Sequence, residues 1–162
     1  KRPYPSHPSV YDVPLMIRLP GARHAGVSSD MFVQHTDISA AILAAAGVEP
    51  PQPIDGVAFL DRAIAGKKGI RDHVTVGWSA SPTVITERWW LNCKIDGSGV
   101  LLHDLQSDQP FARNVAADHP DVVRTLFAHA VADARGGFPD WLMAIARSQA
   151  DAPGCSNLVA RA

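Results

Sequence analysis

The chain has 162 residues, 46% hydrophobic and 19% charged, which suits one domain, or one and a half, with a core of its own. A formal net charge of -1, with no basic run longer than Lys67-Lys68, excludes the electrostatic footprint of a nucleic-acid partner. No apolar run approaches the roughly 20 residues that span a bilayer, and Cys93 and Cys155 lack the C-x-x-C spacing of a zinc or redox site.

Lys1 to Tyr11 is Pro-rich and predicts an extended lead-in without regular structure. It begins without Met or the apolar core of a signal peptide, so the sequence reads as starting internally. Val13 to Leu19 is nearly unbroken apolar sequence, as in a strand covered on both faces; a hairpin arm fits so short a run too, and the parallel strand is favoured. Phe32-Val33 leads to a helix capped at Thr36 or Asp37, with Ile38, Ala41, Ile42 and Ala45 on one face and Gly47 as the stop. The Pro-rich stretch from Pro50 to Pro53 and the turn at Asp55-Gly56 feed a short helix near Asp61 to Ala65.

Gly66-Lys67-Lys68-Gly69 marks a boundary. Beyond it, His73 to Trp78, Thr83 to Ile85 and Trp89 to Ile95 read as strands. Asp96-Gly97 then predicts antiparallel pairing of Trp89 to Ile95 with Val100 to Leu105. Pro120 opens a helix whose apolar stripe (Val122, Val123, Leu126, Phe127, Ala130, Val131) should dock on this small sheet, and Phe138 to Met143 begins another amphipathic helix. Trp78, Trp89 and Trp90 are expected to pack under the last helix rather than form a sugar platform. Asp151 onward reads as a loose tail.

In order, Val13-Pro14-Leu15-Met16-Ile17-Arg18-Leu19-Pro20-Gly21, His35-Thr36-Asp37, Ala46-Gly47-Val48 and Asp55-Gly56 resemble the later part of the sulfatase branch of the alkaline phosphatase superfamily. Glu87-Arg88-Trp89-Trp90 through Lys94, His103-Asp104-Leu105, Asn114-Val115-Ala116 and Pro120 extend the likeness to about Ala134. His103 stands where the family usually has Tyr, and Gln109-Pro110 where it has Asp-Pro. The resemblance implies an α/β fragment plus an α+β part. Residues 1–66 would be the last strand and helix of an alkaline-phosphatase-like body, 67–150 a small antiparallel sheet with helices, and 151–162 a flexible tail.

The resemblance also implies a formylglycine nucleophile, made from Cys or Ser in C/S-x-P-x-R, and one divalent cation: calcium, magnesium, manganese or zinc. A hard cation would polarise the sulfate oxygens. Neither Cys93 nor Cys155 sits in that motif, so nucleophile and metal ligands are expected in a missing N-terminal catalytic half, with no metal and no cofactor held by this chain. Lys1 is the candidate carried over from the family, as a sulfate contact, and His7 in the same approach loop is a second. His35 and Asp37 are read as helix-start residues rather than a metal pair. Asp72-His73 and His103-Asp104 could orient an imidazole, yet no Ser or Cys has a nucleophile's setting.

The reading is therefore a C-terminal piece of a metal-dependent sulfuric ester hydrolase, shaping its substrate pocket and inactive alone, whose parent acts on a small sulfate or phosphate ester. The alternatives are a piece of a phosphodiesterase or phosphonate monoester hydrolase on the same scaffold, or a non-catalytic interaction module. An orphaned Val13 to Leu19 strand would favour self-association.

Overall fold

The computed structural model describes residues 8–107, 109 and 111–150. Contacts divide the chain into two compact units, Pro14–Val74 and, separately, Lys1–Val13 with Thr75–Ala162. No helix of the described residues is long and apolar enough to cross a membrane.

In the unit Pro14–Val74, helix α2 runs His35–Ala46 and helix α3 Leu60–Ile64. The α2 cap is Gln34, a few residues earlier than the expected Thr36 or Asp37. Asp37 occupies the third helical position, and its carboxylate reaches back to the Gln34 N–H in a capping box. Gly47 ends the helix at φ 65°, the left-handed conformation that costs glycine least. The inward face carries Asp37, Ala40 and Ala41, whereas Ile42, expected on the packed face, is 63% exposed. The helix is rotated this way because Asp37 has polar partners on the inside.

Val13 to Leu19, expected as a strand, has no regular structure; Val13, Leu15, Met16 and Ile17 are all exposed. A strand needs ladder partners for its backbone N–H and C=O groups, and none of the described strands pairs with this segment. A single 3-10 turn, Pro20–Ala22, follows it.

The other unit is an α+β structure built on one sheet of order β1-β2-β3-β4, with β1 (His73–Trp78) entering it from Thr75 and followed by Ser81–Thr86, Trp89–Asn92 and Leu101–Asp104. β2–β3 and β3–β4 pair antiparallel, the latter through the expected Asp-Gly turn, although β3 ends at Asn92 rather than Ile95. Register aligns Val84, Leu91 and Leu102 across three strands, and Ile85, Trp90 and His103 beside them on the opposite face. Residues from both sets are buried, so this antiparallel sheet is covered on both sides instead of wetting one face.

Helix α4, Pro120–Asp133, starts at Pro120 as expected and packs on β2 and β3. Val84, Leu91, Cys93 and Leu102 meet Leu126 and Ala130 in the main core, ringed by Trp89, Val122, Val123, Phe127 and Phe138. Full burial of a side chain such as Leu126 contributes about 1.5–3 kcal/mol. Helix α5, Asp140–Ala150, places Leu142, Met143, Ile145 and Ala146 against Ala80 and Ile95. Trp89 thus packs under α4, Trp90 lies on the opposite face, and Trp78 is 59% exposed, correcting the expectation that all three pack under the last helix. The lead-in is not wholly irregular either, since Pro8–Tyr11 forms a helical turn, α1. The tail from Asp151 lies outside the described residues.

Candidate functional site

Two polar clusters, one in each unit, stand out. In the first, Asp37 is fully buried and its two carboxylate oxygens accept from three donors. Oδ2 takes the Gln34 N–H at 2.7 Å, and Oδ1 takes the Val57 N–H at 2.9 Å and Arg71 Nη2 at 2.5 Å. Arg71 Nη1 also donates to Gln34 Oε1. The cluster ties the start of α2 to the loop after Asp55-Gly56 and to the strand lead-in at Arg71. Gly56 passes so close to the helix start that a Cβ there would fall 2.0 Å from the Thr36 carbonyl oxygen. His35 is exposed. The reading of Asp37 as a helix-start residue and not half of a metal pair fits this geometry, although Asp37 also does more than cap.

The second cluster lies on the sheet face opposite α4. The Trp90 indole N–H donates to the Tyr11 hydroxyl at 2.6 Å. The Trp90 ring is tilted against His103 at 5.3 Å and meets Phe111 edge-on at 5.4 Å, with His103 and Phe111 5.1 Å apart. His103 Nδ1 lies 2.8 Å from the Arg113 carbonyl oxygen, which fixes the proton on Nδ1 when the ring is neutral. Burial pushes the His103 pKa below its ordinary value, with the Arg113 carbonyl opposing. Burial likewise pushes the Tyr11 hydroxyl up to about 12, against the hydrogen bond from Trp90.

His103 and Asp104, neighbours on one strand, point to opposite faces and do not form an imidazole–carboxylate pair. Asp104 instead pairs with Arg88 at 3.0 Å, and that hydrogen bond holds its carboxyl below the usual range. The Arg88 guanidinium also lies 4.7 Å over the Trp89 ring. Asp72 does approach His73 Nδ1, at 2.7 Å, but Asp72 is exposed. Cys93 is 2% exposed, and burial, with Asp96 adding to it, pushes its thiol up to about 12, a poor nucleophile. Among the described residues no group of three or more His, Cys, Asp or Glu could hold a metal ion. They do not fit the divalent cation that the sulfatase resemblance implies. Lys1 and His7, the candidates for sulfate contact, lie outside the described residues, as does Cys155.

Asn114 closes the outer edge of β4. Its Oδ1 accepts the Leu102 and Ala116 N–H groups, and its Nδ2 donates to the Val100 carbonyl. This gives the Asn114-Val115-Ala116 motif a physical role, since it satisfies an edge that would otherwise be open.

A family model described as N-sulphoglucosamine sulphohydrolase, C-terminal, matches residues 6–120. The chain belongs to this family. The kinship with the C-terminal part of a sulfatase, expected from the order of motifs, is thereby established. The sulphohydrolase match takes in both polar clusters, Asp37 with Arg71 and Tyr11 with Trp90 and His103, and stops at the first residue of α4. His7 falls within the matched stretch and Lys1 outside it. No curated protein matches the chain.

Sequence reasoning missed Gln34, Arg71, Tyr11 and Phe111 as partners. A lone Arg before a strand and a Tyr at the end of a Pro-rich stretch carry no local signal. Asn114 was visible through its motif, though its role at the strand edge was not.

Proposed function

We propose that this chain is the C-terminal part of a metal-dependent sulfuric ester hydrolase, shaping the substrate pocket of the whole enzyme and inactive alone. The observation that carries the reading is the sulphohydrolase C-terminal match over residues 6–120. On this reading the formylglycine and the ligands of one divalent cation belong to an N-terminal catalytic half. The cation's contribution there is to polarise sulfate oxygens. Lys1 and His7 contact the sulfate from the approach loop. Because the family is described by N-sulphoglucosamine, a sulfated amino sugar is the substrate class to try first.

The same reading gives Val13 to Leu19 its place as the last strand of an alkaline-phosphatase-like body, completed by residues up to 66, with 67–150 as the α+β part and 151–162 as a tail. The exposure of Val13 (57%), Leu15 (44%), Met16 (90%) and Ile17 (46%) supports this, because an apolar run so wet gains from a sheet to join. By itself the chain is expected to self-associate through it.

The test compares the purified chain with the protein extended upstream. Sequence ahead of Lys1 should contain Cys or Ser followed by x-Pro-x-Arg, and the extended protein should release sulfate from sulfated sugars while the isolated chain, with excess calcium, releases none. Metal-dependent turnover by the isolated chain, or hydrolysis of phosphate but not sulfate esters by the extended protein, would overturn the reading.

A further inference from the structure

Of the described residues, 8–13 group with the antiparallel sheet and not with the residues that follow them in sequence, Pro14–Val74. Their only regular structure is α1, a turn of four residues. A helix that short has no stability of its own, because nucleation is costly and roughly 12–15 residues are needed even in favourable sequences. Its place must therefore be imposed from outside. A contact that can do so is Tyr11, whose half-buried ring brings its hydroxyl to the buried Trp90 indole N–H at 2.6 Å.

We propose that Tyr11 is a latch: its bond to Trp90 fastens the Pro8–Tyr11 turn to the sheet face opposite α4. Three features of the receiving side make it a built socket. The Trp90 ring is held by His103 on one side and by the edge contact with Phe111 on another, so the indole N–H is aimed before Tyr11 arrives. His103 is itself fixed by the Arg113 carbonyl. Trp90 is only 3% exposed, so without the Tyr11 hydroxyl its N–H would be a buried donor with no acceptor, a costly state. Immediately beyond the latch, Asp12 to Leu19 runs without regular structure. Order at Tyr11 therefore does not come from the chain that follows. The inference goes beyond the hydrolase reading and holds or fails independently of it.

The experiment is backbone 15N relaxation on the full chain, in the parent sequence and in Tyr11→Phe, which removes one oxygen and keeps the ring. Order parameters at Val10, Tyr11, Asp12 and Val13 should fall from about 0.85 toward or below about 0.6, the range that separates rigid from flexible backbone. The Trp90 indole N–H resonance should shift, while amides of β2, β3 and β4 stay where they are. Trp90→Phe provides the second arm, removing the donor from the other side, and should loosen the same four residues. If both variants leave the four order parameters unchanged, or if the segment is already flexible in the parent chain, Tyr11 is not a latch.

Discussion

Asp37 and Arg71, 34 positions apart in sequence, form an ion pair whose carboxylate is fully buried and whose guanidinium is 18% exposed. Burial of a carboxylate is costly unless its oxygens are occupied, and here both are, by Arg71 and two backbone N–H groups. Arg71→Met leaves that carboxylate inside without its counter-charge and is expected to cost about 3–5 kcal/mol, the range for breaking a buried pair. Urea denaturation followed by far-ultraviolet circular dichroism measures it. A loss below about 1 kcal/mol would give the pair the standing of a surface salt bridge. The double variant with Asp37→Asn should lose less than the sum of the two single losses.

Gly56 supplies a second test of the same junction. Its backbone leaves no room for a side chain: a Cβ would sit 2.0 Å from the Thr36 carbonyl oxygen and 2.4 Å from its carbon. Gly56→Ala must push the loop off the helix start and weaken the Val57 N–H bond to Asp37. The expected cost is about 1–3 kcal/mol, as for overpacking elsewhere. Gly77→Ala, where nothing lies within 4 Å, is the control and should be near neutral. Equal melting temperatures for the two variants would reject the argument.

This junction, set beside the turns and helix ends, also shows where sequence reading succeeds and where it stops. Gly47 as a helix stop, Pro120 as a helix start and Asp96-Gly97 as a hairpin turn were legible because each is decided by local backbone chemistry. At the hairpin, Gly97 takes φ 82° and the Asp96 carboxylate accepts both the N–H and hydroxyl of Ser98. The long-range partners were not legible. Trp90 and Tyr11 are 79 positions apart, and no periodicity links them. Val13 to Leu19 shows the opposite failure, for its apolar run says that it should be covered but cannot supply the neighbouring strand. Of the candidate site, the order of motifs pointed to the family. Which residues of these folded units meet each other emerged only from the tertiary structure.

His103 makes stability depend on pH. Burial lowers its folded-state pKa beneath the ordinary value of 6.5, so between those two values the unfolded chain binds more protons than the folded one. The contribution of the neutral imidazole is full above pH 6.5 and is lost as pH falls through the folded-state value. His103→Phe keeps an aromatic ring between Trp90 and Phe111 but removes the titration. Melting temperature should fall less steeply from pH 7 to pH 5 in the variant than in the parent chain. Parallel curves would show that another group sets the acid limb.

Cys93 offers a chemical probe of the core from within it. The thiol is 2% exposed, packs with Val84, Leu91, Leu102, Leu126 and Ala130, and is pushed up to about 12 by burial and then by Asp96. Reaction with a disulfide reagent requires both access and thiolate, and the folded chain denies both. In a Cys155→Ser background, Cys93 should be unreactive at pH 8 under native conditions and react fully once denaturant opens the sheet from α4. The rate should follow the opening equilibrium, so Leu102→Ala, which removes a fully buried side chain at a cost of about 2–5 kcal/mol, should accelerate it by more than tenfold. Prompt native-state labelling, or a Leu102→Ala rate equal to the parent's, would mean that the face under α4 opens by a local route and that the six residues do not act as one core.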